Sequence, residues 1–218
     1  MEKNLSPNQE TILPSRFRRI IQKILVGFKL LLGVLFIPFV YGSTKAFLEE
    51  LFVLENSLKV SFFSGIIIFL IIYLFIWEPT VIYKKGQRFV QIIFGFFSPL
   101  VKVAPYLLPI YTIILFLIYF LFSSIIKSTE LDNNFMFLFG LSITLHLIFS
   151  AKVLKSRPSD YLKANYIFGF SFIYLINIFI LAFGFNLIWN KFSFVNFFNQ
   201  SYQIALDIIS IVFRQLFL

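Results

Sequence analysis

The 218-residue chain contains no cysteine and a single histidine, His146. The first absence excludes disulfides, thiolate catalysis and cysteine metal sites. The second leaves no pair of imidazoles from which to build a zinc centre. Charge is sparse as well: 13% of residues are charged and 59% are hydrophobic, where a soluble domain carries about 25% and 45–50%. That balance predicts an integral membrane protein with little soluble mass, organised as one domain over 1–218. A Gly-rich phosphate loop, a nucleophile triad and paired carboxylates are also missing. No cofactor is therefore expected. Internal repeats are absent too, which counts against a transporter built on inverted repeats.

What the chain has in abundance is phenylalanine, 33 residues of it, which fits helices that face lipid. The net charge is +9, but the cations cluster in the loops between apolar runs, where orientation signals belong. No basic patch is interleaved with aromatics on a soluble module, so nucleic acid is not an expected partner. The lipid bilayer and a membrane-protein partner are.

Taken in order, 1–14 is polar. Phe17, Ile20, Ile21, Ile24, Leu25 and Phe28 then recur at helical spacing, flanked by Arg16, Arg18, Arg19 and Lys23. This predicts a basic amphipathic entry, 1–23, on an anionic membrane surface. The basic region runs too deep for a cleavable signal, and Lys29 interrupts the apolar run that follows. Five spans are expected, at about 24–43, 60–77, 107–126, 134–150 and 165–189, each near the ~20 residues that a bilayer core requires. Residues 44–59 read as a short external segment, with an amphipathic helix as one form of it. The tail, 201–218, carries Gln203, Asp207, Ser210 and Arg214 on one helical stripe. It reads as an amphipathic interfacial helix on the outer surface, with a sixth span as the alternative.

The distribution of cations orients these spans. Lys3, Arg16, Arg18, Arg19 and Lys23 lie before the first span. Lys84, Lys85, Arg88 and Lys102 lie in the central stretch, and Lys152, Lys155, Arg157 and Lys163 before the fifth span. The opposite side holds only Lys45, Lys59, Lys127, Lys191 and Arg214. The asymmetry predicts an N-terminus on the cytoplasmic side of the inner membrane.

The central stretch, 78–106, is neither plainly transmembrane nor plainly soluble. Gln87, Gln91, Gly95, Ser98 and Lys102 form a helical stripe, while Pro99 and Pro105 argue against one continuous helix. It reads either as an amphipathic helix at the inner face or as a re-entrant segment, which would need cover from protein or a wet cavity. Three polar residues lie near or inside the spans: Glu78, His146 and Asn177. Such groups are functional candidates by default. Glu78 and His146 are at similar depth and could hydrogen-bond. Alternatively His146 bonds a neighbouring helix or faces the aqueous boundary. Asn177 reads as a helix–helix hydrogen bond. Gly140, Gly169 and Gly184 read as points of close helix approach. Arg157–Asp160, R-P-S-D, reads as a loop ending in a helix cap.

Tyr83 and Gly86, followed by Ala104, Pro105, Tyr106, Pro109, Tyr111 and Thr112 in A-P-Y-x-x-P-x-Y-T, form a pattern. With L-H-L-I-F-S at Leu145–Ser150 and R-P-S-D, it resembles bacterial membrane metallopeptidases related to the site-2-protease family, over roughly 75–180. The resemblance implies a zinc-binding H-E-x-x-H after the Tyr and Gly. Here Gln87-Arg88-Phe89-Val90-Gln91 stands in its place. Gln is a weak neutral ligand, and Arg88 puts a fixed positive charge where a general base and a dication would sit. The degenerate positions Gly86, Gln87, Arg88 and Gln91 therefore imply that the family's zinc-dependent hydrolysis is lost and that no metal is held.

The reading is an all-α, polytopic membrane protein of about five transmembrane helices, and a non-enzymatic subunit or scaffold. Lys102, Pro105, Tyr106, Pro109 and Tyr111 are its candidate contacts to a partner or lipid. The alternative is a small transporter or a membrane subunit of a transport complex, with broken backbone around Pro99–Pro109 lining a path.

Overall fold

The computed structural model describes residues 15–123, 128–155 and 164–217. Among them are eight α-helices and no strand. These are α1 (Ser15–Val53), α2 (Asn56–Ile71), α3 (Thr80–Ile93), α4 (Ser98–Leu107), α5 (Ile110–Ser123), α6 (Thr129–Lys155), α7 (Ala164–Ile188) and α8 (Phe194–Phe217). A π-helical turn, Ile72–Ile76, extends α2. The protein is an all-α polytopic membrane protein: α1, α2, α6 and α7 are long and apolar enough to cross a membrane, and α5 is a shorter apolar helix.

Two helix groups build the bundle. In the first, α2 and α6 run parallel. Phe62 lies beside Gly140, Tyr73 beside Phe149, and Glu78 beside Lys152. A Cβ on Gly65 would overlap the carbonyl oxygen of Phe137, and one on Gly140 would overlap that of Phe62. Backbone touches backbone here, the contact that small residues permit between membrane helices. Of the glycines expected at close approaches, Gly140 and Gly184 serve that role, Gly184 against the Phe116 ring. Gly169 only meets Leu154 at ordinary distance, 3.4 Å. Gly65, the reciprocal partner of Gly140, was not anticipated.

In the second group, α7 runs parallel to α1 and α8 runs antiparallel to it. Gly33 lies against Phe168, and the Tyr174 hydroxyl meets Thr44 Oγ1 at 2.7 Å. On the other side, Phe47 packs on Phe197, and Gly42 on Ser201 and Ala205.

Several expected boundaries shift. Residues 44–59 are helical except at the turn between α1 and α2. α1 continues to Val53, because Gly42, Ser43, Ala46, Phe47, Glu50 and Leu51 keep one buried face although mean hydropathy falls. Glu50 is buried there and accepts the Ser193 backbone N–H at 2.9 Å. Lys45 and Glu49 pair on the exposed side. The C-terminal helix starts at Phe194 rather than near 201, because the Ser193 hydroxyl caps it by accepting the Asn196 N–H at 3.2 Å. It is amphipathic as expected, with Gln203, Asp207, Ser210 and Arg214 all exposed. The central stretch is two helices, not one broken at its prolines. The first interruption is the turn at 94–97, ahead of Pro99, and Pro105 lies within α4. The stripe from Gln87 to Lys102 is therefore split between α3 and α4. The R-P-S-D run, 1–14 and the side chain of Lys102 lie outside the described residues.

At the end of the bundle bearing the α1–α2 turn, the core is aromatic. Phe47, Phe62, Phe116, Phe139, Phe185 and Phe197 are all buried. Their rings stack or meet edge to face, as between Phe116 and Phe139 with centroids 4.4 Å apart. Toward the other end, where α3 lies, the buried cluster shrinks to Phe69, Tyr83, Leu145 and Phe149.

Candidate functional site

Two of the polar residues singled out from the sequence, His146 and Asn177, converge on the α4–α5 junction. Pro109 has no backbone N–H, and the helix stops at Leu107 and resumes at Ile110. The Ile110 N–H turns to the Leu108 carbonyl instead of reaching back one full turn. Carbonyls just before the break therefore lose their helical partners and need others.

Side chains from two other helices supply the missing donors. His146 Nε2 lies 3.1 Å from the Tyr106 carbonyl oxygen, and Ser150 Oγ lies 3.2 Å from the same atom. Asn177 Nδ2 donates to the Leu107 carbonyl at 3.0 Å and to that of Ile173 at 2.7 Å. A carbonyl can only accept, so Nε2 of His146 carries the proton. The Ser150 proton is spent on Tyr106, so the Tyr83 hydroxyl, 3.1 Å from Ser150 Oγ, is the donor in that pair. Burial pushes the Tyr83 hydroxyl above its ordinary range, which keeps it protonated for this role. His146 and Ser150 share a face of α6 because they are four residues apart. One turn before His146, Ser142 meets Thr112 of α5 at 2.9 Å.

The hydrogen bond between Glu78 and His146 does not form. Glu78 leaves the end of α2 at the bundle margin and pairs with Lys152, while His146 is buried. The alternative, a bond from His146 to a neighbouring helix, is the one observed. Asn177 is likewise a helix–helix bond, directed to backbone rather than to a side chain.

The residues of the A-P-Y-x-x-P-x-Y-T pattern gather in the same place. Pro105 and Pro109 are buried, and the Tyr111 hydroxyl donates to the Ile82 carbonyl at 2.6 Å. Gly86 faces the Tyr111 ring so closely that a Cβ would lie 2.7 Å from it. Tyr111, a candidate contact to a partner or lipid, joins α5 to α3 through these contacts. Gln87, Arg88 and Gln91 lie on another side of α3, where Gln87 also reaches the Tyr83 hydroxyl. With Val81, Lys84 and Lys85 they line an open groove of about 400 Å³ on α3. Among the described residues, no three His, Asp or Glu side chains gather as metal ligands would.

Ser150, Lys152, Thr112 and Ser142 were missed as partners. Only Ser150 left a usable signal, its position four residues after the sole histidine. Comparison with protein-family models, with curated proteins and with solved structures gives no match.

Proposed function

We propose that the chain is a non-enzymatic subunit or scaffold of the cytoplasmic membrane, with its N-terminus and α3 on the inner side. The observation that carries this reading is the use made of the intramembrane polar groups. His146, Ser150 and Asn177 each spend a proton on the broken backbone of α4–α5. Tyr83 spends its own on Ser150. A group committed to holding a carbonyl is not at hand for acid–base chemistry, which needs a donor or base facing substrate. The same bonds tie the backbone interruption down, which favours a fixed scaffold over a moving path. The resemblance of Tyr83, Gly86 and the A-P-Y-x-x-P-x-Y-T segment to site-2-protease relatives fits an inactive relative in which Gln87 and Gln91 replace the zinc ligands. The orientation rests on the cations before the first and fifth spans and on α3.

Purification from native expression in mild detergent, with identification of every co-purifying protein, tests the proposal. A stoichiometric membrane-protein partner is the expected result. A protein that purifies alone overturns the scaffold reading, and stoichiometric bound zinc overturns the lost metal site.

A further inference from the structure

We propose that α3 carries a binding site for the phosphate of an anionic phospholipid, formed by Lys84, Lys85, Gln87 and Arg88. The inference goes beyond the scaffold role and shares with it only the placement of α3 at the inner membrane face.

The helix is divided into three sectors by its sequence. Tyr83, Gly86 and Val90 fall at i, i+3 and i+7 and are buried against the bundle. Ile82, Phe89 and Ile93 fall at i, i+7 and i+11, beside that face, and are exposed. Lys84, Lys85, Arg88 and Gln91 take the remaining side, with Val81 and Ile92 among them, and all are exposed. A helix with one face on protein, one apolar and open, and one cationic is arranged to lie at a membrane boundary.

The cationic side is more than a solvated stripe. Its residues line the concave groove of about 400 Å³. Among the described residues no carboxylate pairs with Lys84, Lys85 or Arg88, and Glu78 is engaged by Lys152. Gln87 lines the same groove, its amide reaching the Tyr83 hydroxyl. Three cations on one groove are the complement of a phosphate. The groove is also held in place, because Tyr83 is bonded to Ser150 and Gly86 is seated on Tyr111. Soluble phosphate would suit the cations alone. The exposed Ile82, Phe89 and Ile93 at its flank add a surface for acyl chains, which assigns the site to a lipid.

Native mass spectrometry of the full-length protein in neutral detergent tests this. The probes are phosphatidylglycerol and phosphatidylcholine with identical chains, with inorganic phosphate as competitor. Phosphatidylglycerol is expected to be retained in preference to phosphatidylcholine. Lys84→Gln, Lys85→Gln and Arg88→Gln together should weaken that retention by about five-fold per cation removed. Gln87→Leu, which keeps every charge, should weaken it by a smaller factor and carries the test if the triple variant does not fold. Lys45→Gln with Lys191→Gln, at the opposite end of the bundle, should change nothing. Equal binding of the two lipids, or full retention by the α3 variants, overturns the site. Displacement of the lipid by equimolar inorganic phosphate overturns the lipid assignment. Absence of a protein partner bears on the scaffold reading and leaves this result untouched.

Discussion

Near the α1–α2 turn, Phe47, Phe62, Phe116, Phe139 and Phe185 meet ring to ring. At the α3 end the corresponding contacts are hydrogen bonds from Tyr83, His146, Ser150 and Asn177, two of them to Tyr106 and one to Leu107. The difference follows the backbone. Where helices run unbroken, every peptide group is bonded within its own helix, and only close packing is left to choose one arrangement over another. Where α4 gives way to α5, carbonyls are released, and polar side chains must be brought in to meet them. One half is specified by shape and the other by donors and acceptors.

The comparison can be broken most severely at the glycine seam on which the aromatic half rests. Gly140→Leu forces a side chain into the Phe62 carbonyl and should destabilise by more than about 4 kcal/mol. The expected outcome is failure to recover a folded monomer in detergent. Phe185→Ala should cost about 3–5 kcal/mol by leaving a cavity. Trp189 packs against that ring with centroids 5.1 Å apart, so its fluorescence should shift with the fall in thermal midpoint. A smaller effect is expected in the polar half. Asn177→Ala strands the Leu107 carbonyl and should cost about 1–2 kcal/mol, with faster hydrogen exchange confined to α4 and α5. If Asn177→Ala cost as much as Phe185→Ala, the division of labour would be wrong. The least effect belongs to Glu78→Gln. Its ion pair with Lys152 is half exposed, and such pairs add little to stability, so the thermal midpoint should not move.

Much of this was legible in the sequence, and the limits have physical causes. Apolar runs placed α7 almost to the residue, at 164–188 against an expected 165–189. They stopped short of the end of α1, whose last third is held by a buried face rather than by overall hydropathy, and Glu50 shows why. A carboxylate in a segment expected to be external is buried because it accepts a backbone N–H from the start of α8, a bond with no trace in the local pattern. His146 and Asn177 stood out as polar residues within spans. Their acceptors did not, because a backbone carbonyl looks the same at every position. Pro109 stands at the break between α4 and α5, whereas Pro99 and Pro105, expected to interrupt the central stretch, lie within α4. Gln87, Arg88 and Gln91 were noted for what they replace. Their place beside Lys84 and Lys85 on one open groove needed the helix to be seen docked.

The wide turn at Ile72–Ile76 sets where this chain can change length. A π turn takes up more residues than an α turn before the next hydrogen bond closes, so it holds a surplus. Deleting one residue within it lets the helix wind regularly while Glu78 stays opposite Lys152. The same deletion in the middle of α2 would rotate all that follows by about 100°, carrying Phe69 and Tyr73 off the α6 face. α2 thus has one position at which a residue can be lost without changing what lies beyond it.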